Sequence, residues 1–416
     1  MNKIKNIEGI QICKKCLYPS THPLGITFDK NWICSGCKIH EEKNSLNWNF
    51  RLNKLKKIVS KYKSKKGNYD CIVPVSGGGD SHFIVHTVKN ILKLSPLLVC
   101  HNKYYNTPIG IKNIANLRIK FDCDILIQNI NLNVVKKLTK YTLMEHGNIY
   151  WPVISGSTSF PVNIAAKYKI PLIIWGAHQG MEQTGMFSHE HEVEMTRRYR
   201  EDHDLYGKDE DSLISLDNDF QNEDLDQLRY PDMSQINSIG IRGIYLGNFI
   251  RWDSVAQHKL MTKMYKFKSS ILSRTFDTYD HVDCFNYINI HDYLKLSKHG
   301  YSKVLDHACR EIRYKRISRE NALYLVEKYQ LKKIENVDLF CEWLDISKKS
   351  LNFVINRFKK DVFWKQTDID NWTFNGVSQI LKKKGLKKKK IKIKNFFDNS
   401  SLKENLKKYI FFGKGI

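Results

Sequence analysis

The 416-residue chain has no run of eighteen or more apolar residues, which excludes an ordinary membrane-spanning helix. Its first residues, Met1-Asn2-Lys3-Ile4-Lys5-Asn6, have no apolar core of the kind a signal peptide needs, so a cytoplasmic protein is expected. No internal repeat of solenoid length is visible, which argues against a stacked-repeat architecture. Negative charge is in short supply: 43 Asp and Glu face 68 Lys and Arg, a net charge of +25. Such a surplus suits an acidic partner, whether nucleic acid, nucleotide, anionic sugar or acidic protein, although lysine used as a general solubiliser gives the same number. The apolar share, 42%, is ordinary for a globular protein, and the length predicts two or three units with a large core.

Apolar runs and helical periods alternate along the middle of the chain. Tyr69–Val75 reads as a buried strand, His82–Leu94 as a helix, Pro96–Cys100 as a strand and Thr107–Phe121 as a helix. Asp124–Gln128, Leu132–His146, Ser159–Tyr168 and Pro171–Trp175 continue the alternation. Strands separated by helices of this length predict an α/β fold, a parallel sheet with helices on both faces. The expected units are a four-cysteine module over residues 1–50, a nucleotide-binding α/β domain over 51–270 and a helical region over 271–416 ending in a Lys-rich tail. Residues 51–66 read as a lysine-rich helical linker. Residues 201–226, with eleven acidic residues and one lysine, read as a solvated loop. Lys382–Lys394 holds nine lysines, and such a block is expected at the surface.

Between the first strand and its helix lies Ser76-Gly77-Gly78-Gly79-Asp80-Ser81. Glycines let the backbone approach an anion and adopt positive φ. The amides of the loop and the following helix N-terminus then converge on phosphate. Ser76 and Ser81 offer hydroxyl donors, and Asp80 beside phosphate calls for an intervening Mg²⁺. The loop has no Walker-type lysine, which argues against γ-phosphate transfer. Trp175–Ser188 follows a predicted strand, so His178, Glu182 and Gln183 are expected in the same crevice at the carboxyl ends of the strands. A solvent-facing glycine-rich loop is the plainer reading of that stretch. His189-Glu190-His191-Glu192 does not fit HExxH, and neighbours two apart do not share a helix face.

Cys13-Lys14-Lys15-Cys16 and Cys34-Ser35-Gly36-Cys37 are separated by seventeen residues, the spacing of a structural Zn²⁺ site with four thiolates and no open position. The other six cysteines are scattered and expected to be reduced and buried. Arg242, Arg251, Arg310 and Arg313 are candidates to grip an anionic substrate, with salt bridges as the plain alternative. Leu339–Phe358 reads as two short helices with Ser347 capping the second. A helical hairpin packed on the main domain accounts for it better than a DNA-reading helix-turn-helix, because few of its side chains suit base readout.

The hexamer resembles the PP-loop ATP pyrophosphatase superfamily, with its adenine nucleotide alpha-hydrolase-like fold. Further blocks are similar to the bacterial N-acetyl sugar amidotransferases of lipopolysaccharide and nonulosonic-acid (pseudaminic or legionaminic acid) biosynthesis. These are the cysteine pairs with Pro19-Ser20-Thr21, Trp175-Gly176 through Met186-Phe187-Ser188, Glu194–Arg197, Gly240–Asn248, Arg251-Trp252-Asp253, His291–Lys295 and Asp306–Arg313. Ala177, Gln179 and the Lys-rich tail depart from that pattern. The resemblance implies an ATP-dependent, AMP- and pyrophosphate-forming ligase that converts a sugar N-acetyl group to an acetamidino group. It implies ATP held by Ser76–Ser81 with adenine near His101, Mg²⁺ on Asp80 and Glu182, and catalytic or substrate-binding roles for Asp80, His178, Glu182, Arg251 and Arg310. The implied partners are an acidic N-acetylated sugar and separate glutaminase and cyclase-like proteins that supply ammonia, with no membrane or nucleic acid. The alternative is a tRNA-modifying, thiolation-type PP-loop enzyme, which would account for the basic charge. Such an enzyme ordinarily uses further cysteines, and the chain has no third CxxC.

Overall fold

The computed structural model describes residues 9–65, 67–216, 220–369 and 371–393. Five short parallel strands form the central sheet: β1 (Cys71–Pro74), β2 (Pro96–His101), β3 (Ile125–Gln128), β4 (Leu172–Trp175) and β5 (Arg242–Tyr245), in the order β3-β2-β1-β4-β5. The expected parallel α/β sheet is therefore present. The order reverses between β1 and β4, so the binding crevice of such a sheet lies outside their carboxyl ends. β1 ends where the glycine loop begins, and β4 ends where Gly176–Met186 begins.

Local chemistry sets the helix boundaries. α1 (Ser35–Glu42) and α2 (Trp48–Ser60) precede the sheet, and α3 (Gly79–His86) follows the glycine loop. α4 (Pro108–Phe121) starts with Pro108 in its first turn, and the Thr107 side chain accepts from Gly110 N at 3.0 Å, a strong N-cap. α5 (Leu132–His146) stops at Gly147 in the left-handed region. α6 (Trp151–Tyr168) begins eight residues before the predicted start and carries Pro161 inside it. It is buried along much of its length, so no amphipathic stripe marked that start. β5 falls in a stretch read only as a motif, and no apolar run announces it.

Two expectations are corrected by packing. α2 is helical but does not act as a linker: Leu55 and Val59 are buried in the main core beside β1 and α3, with Leu52 and Ile58 packed against it. The acidic stretch is not simply a solvated loop. Leu205, Leu213, Phe220 and Leu225 are buried with residues of α5 and α6, and Glu210 is buried against Arg200. Arg200 and Ser155 satisfy that carboxylate, which is what permits its burial.

Among the described residues beyond 290 the chain is mostly helical as expected, with a hairpin of Trp364–Gln366 and Trp372–Phe374. The helices Val337–Leu344 and Lys348–Arg357 bury Phe340, Trp343, Leu351 and Ile355 in one cluster with α5, and Ser347 caps the second. The cysteine module and the C-terminal helices share a single apolar cluster, in which Ile10, Leu17 and Tyr18 meet Val304, Leu305, Leu323 and Val377. The lysine block is described only to Ile393; Lys394 lies outside the described residues. No helix among the described residues is long and apolar enough to cross a membrane.

Candidate active site

The glycine loop is braced from within. Ser76 N donates to Ser81 Oγ at 2.8 Å and Gly78 N to Ser76 Oγ at 3.1 Å. Both hydroxyls thus accept inward, and their hydrogens are left to donate outward. None of the three glycines has a positive φ, contrary to expectation. They are needed for close approach instead. A Cβ on Gly77 would lie 2.3 Å from Gly110 O, and one on Gly79 would lie 2.3 Å from His258 Nε2. Asn113 of α4 donates to Gly77 O at 2.9 Å and ties that helix to the loop.

Asp80, in the first turn of α3, is half-exposed, and its Oδ1 lies 3.1 Å from His258 Nε2. His258 sits on the helix Ser254–Tyr265, with its ring against Phe267 and Tyr279. Asp283 arrives from the C-terminal region. Its Oδ2 takes Lys103 Nζ at 2.6 Å, just past the end of β2. Burial works against the charged forms of both, and their mutual attraction outweighs it, so the Lys103 pKa rises and the Asp283 carboxyl is held below its usual range. Sequence reading did not pick out Lys103, His258 or Asp283. The available signal was Asp277–Asp283, three carboxylates in seven residues of a basic chain.

The other expected site residues are held in place by neighbours. Both oxygens of Glu182 take Lys43 Nζ, at 2.6 and 2.7 Å, and that lysine is buried. Arg251 donates to Lys43 O and Asn44 Oδ1. Arg310 pairs with Asp277 at 2.6 Å and Glu311 at 2.8 Å. His101 is buried with Nδ1 2.8 Å from Gln128 Oε1, and its ring occupies the space a Cβ on Gly156 would need. Arg242 bonds Glu194. The structure therefore brings Ser76–Ser81 together with His258 and with Asp283, which Lys103 pairs, and it ties Glu182, Arg251 and Arg310 into ion pairs or hydrogen bonds with their neighbours. His178 is buried among Phe187, Tyr199 and Tyr245, and burial pushes its pKa down to about 4. Its Nδ1 accepts from Gly180 N at 3.1 Å, which places the proton on Nε2, and Nε2 is buried without a partner.

The ligand atoms of Cys13, Cys16, Cys34 and Cys37 lie within 4.8 Å of one another, all buried. Four converging sulfurs at this spacing fit Zn²⁺. The site is welded to the β4 loop. Arg313 donates to Glu182 O, Gln183 O and Cys34 Sγ, and a Cβ on Gly185 would lie 2.4 Å from Ser35 O.

Beyond this loop, Gln179 and Gln183 line a small cavity of about 90 Å³ with Lys295, Lys303 and Asp306. It adjoins a larger one of about 890 Å³; His22, Asn148, Lys298 and His299 line both. Lys303, Asp306, His307 and Arg310 recur on one face of the helix Lys303–Arg313.

Residues 273–378 match the family model described as LPS biosynthesis protein WbpG-like, C-terminal domain. The matched segment is about a quarter of the chain. It contains Asp283, Lys295, Lys298, Lys303 and Arg310, and it fits the sugar amidotransferase resemblance drawn from the sequence. The uncharacterized protein MJ1599 of Methanocaldococcus jannaschii is 28% identical over 117 residues, 28% of this chain and 42% of that protein; the chain spans less than half of that relative. An NH3-dependent NAD synthetase from Campylobacter jejuni, in complex with nitrate, is similar over 47% of this chain and 92% of its own, at 14% identity and a TM-score of 0.26; that score is too low to bear on fold or function.

Proposed function

We propose that the protein is an ATP-dependent amidotransferase acting on the N-acetyl group of a sugar in surface-polysaccharide or nonulosonic-acid biosynthesis. The observation that carries this reading is the seat of Asp283: a residue of the segment matched to the WbpG-like model lies against the glycine loop, which supports a joint role for the loop and that segment. In the reaction, the acetamido carbonyl oxygen attacks the α-phosphorus of ATP and the bond to pyrophosphate breaks. Ammonia then adds to the O-adenyl imidate carbon, AMP leaves with the electron pair of the C–O bond, and loss of a proton gives the acetamidino group. Ser76–Ser81 hold the phosphates. Asp80 would hold Mg²⁺, whose charge would offset that on the leaving pyrophosphate. The two adjoining cavities share Lys298, whose Nζ donates to backbone carbonyls rather than to a carboxylate, and a cation so placed suits an acidic sugar. Zn²⁺ on the four cysteines is structural.

The +25 charge also favours the tRNA-modifying alternative. Against it, the six other cysteines are all buried, and none offers an exposed sulfur carrier. Incubation with ATP, ammonium and N-acetylated acidic sugars is expected to yield AMP, pyrophosphate and a sugar whose amide oxygen is replaced by NH. ADP and phosphate as products would overturn adenylation, and tightly copurifying RNA with steep salt dependence would favour the alternative.

A further inference from the structure

Asp283 lies far along the chain from the glycine loop, and its position is fixed by backbone. Phe285 N donates to Tyr105 O at 2.9 Å, Thr107 N to Asp283 O at 3.2 Å and Thr107 Oγ1 to Val282 O at 2.6 Å. The approach is close: a Cβ on Gly110 would lie 2.6 Å from Asp283 Cα, and one on Gly78 would lie 3.7 Å from Asp283 Oδ1. The two carboxylate oxygens differ. Oδ2 is paired with Lys103, whereas Oδ1 is buried without a partner and faces the loop. An ionised carboxylate only accepts, so Oδ1 needs a donor or a cation, and a buried acceptor left without one is costly.

The other two carboxylates considered for a cation are less suited to hold it alone. Asp80 is half-exposed and shares its Oδ1 with His258, and both oxygens of Glu182 are occupied by Lys43. Mg²⁺ in a nucleotide site takes one or two protein carboxylates and completes its octahedron with phosphate oxygens and water. We propose that Asp283 Oδ1 is a ligand of the divalent cation that accompanies a polyphosphate on the glycine loop, so that the WbpG-like segment completes the nucleotide site. Lys103 then has two tasks: it fixes the carboxylate through Oδ2, and it adds a positive charge beside the phosphates. The inference rests on the reading of the loop as an ATP site.

The test is calorimetric titration of the full-length protein with α,β-methylene-ATP, once in EDTA and once with excess Mg²⁺, together with EPR counting of bound Mn²⁺ in the presence of the analogue. Wild type is expected to bind the analogue about tenfold more tightly with Mg²⁺, and Asp283→Asn to lose most of that gain while its affinity in EDTA stays within about threefold. Bound Mn²⁺ should fall in parallel. Because Asn leaves Lys103 without its counter-charge, the pair Lys103→Met with Asp283→Asn is measured alongside; it too should lose the Mg²⁺ gain. An undiminished Mg²⁺ gain in both folded variants overturns the inference and leaves the ATP reading intact. Equal loss in EDTA and in Mg²⁺ also overturns it, and shows that Oδ1 accepts from the nucleotide itself. If wild type binds the analogue under neither condition, the ATP reading fails and the inference falls with it.

Discussion

At the scale of single residues, the glycine loop is specified by contact. Gly77 meets the backbone of Gly110, and Gly110 meets Asp283, so three distant parts of the chain touch through residues that lack or spare a Cβ. Backbone cannot yield as a side-chain tip can. Gly77→Ala is therefore expected to lower stability by about 1–3 kcal/mol and to abolish binding of an ATP analogue, as read by chemical denaturation and calorimetry; unchanged affinity would show that the loop is not the nucleotide site. Histidine burial makes a second prediction at this scale. His82 is buried between Phe121 and Phe267, and burial pushes its pKa down to about 3. Its folded pKa lies below the unfolded value of about 6.5, so the unfolded state takes up a proton first as the pH falls. The contribution of neutral His82 is complete above about pH 6.5 and declines toward pH 3, by at most about 1.4 kcal/mol per pH unit. His82→Phe should flatten the acid side of the stability-versus-pH curve, measured by denaturation between those limits; a curve parallel to wild type would refute the assignment.

At the scale of elements, the cysteine pairs have meaning through what they join. Two turns bring four sulfurs within ligand distance, and Arg313 links that cluster to the backbone of Glu182 and Gln183 at the crevice. Bound Zn²⁺ would hold Cys34 Sγ and, through Arg313, the β4 loop. Metal analysis is expected to find about one Zn²⁺ per chain, and Cys34→Ser to lose it with a fall of several degrees in Tm. Freely titrating thiols with no zinc would contradict this. The helix pair Val337–Leu344 and Lys348–Arg357 shows the opposite case: its pattern allowed a nucleic-acid reader, and its burial of Phe340 and Leu351 against α5 uses the apolar face for packing.

At the scale of the whole molecule, the two ends of the described chain share one apolar cluster, and the WbpG-like segment reaches the glycine loop through Asp283. Among the elements described, no glutaminase nucleophile turn is evident, and ammonia is mostly protonated near neutral pH. We expect the isolated protein to be inactive with glutamine, active with high ammonium at raised pH, and restored to glutamine use by separate glutaminase and cyclase-like partners, followed by AMP release. Efficient glutamine use by the chain alone would show that this division of labour is wrong.

The parallel sheet was legible in the sequence because β1 to β4 are short apolar runs separated by helices, and the glycine hexamer and cysteine spacing were legible because their chemistry is local. β5 and the start of α6 were not, since neither carries a periodic signal. Nor were the partners of Glu182, Arg251 and Arg310, or the arrival of Lys103, His258 and Asp283 at the loop. A charged residue reads the same in sequence whether it faces substrate or a buried counter-ion. The sequence alone determined the strand–loop–helix unit and the four-thiolate cluster, whose residues lie close along the chain or at fixed spacing. Only tertiary structure decided which charges neutralise one another and which oxygen stays open, because those pairings form between segments up to about two hundred residues apart, such as Lys103 with Asp283, and depend on which atoms packing brings within hydrogen-bond reach.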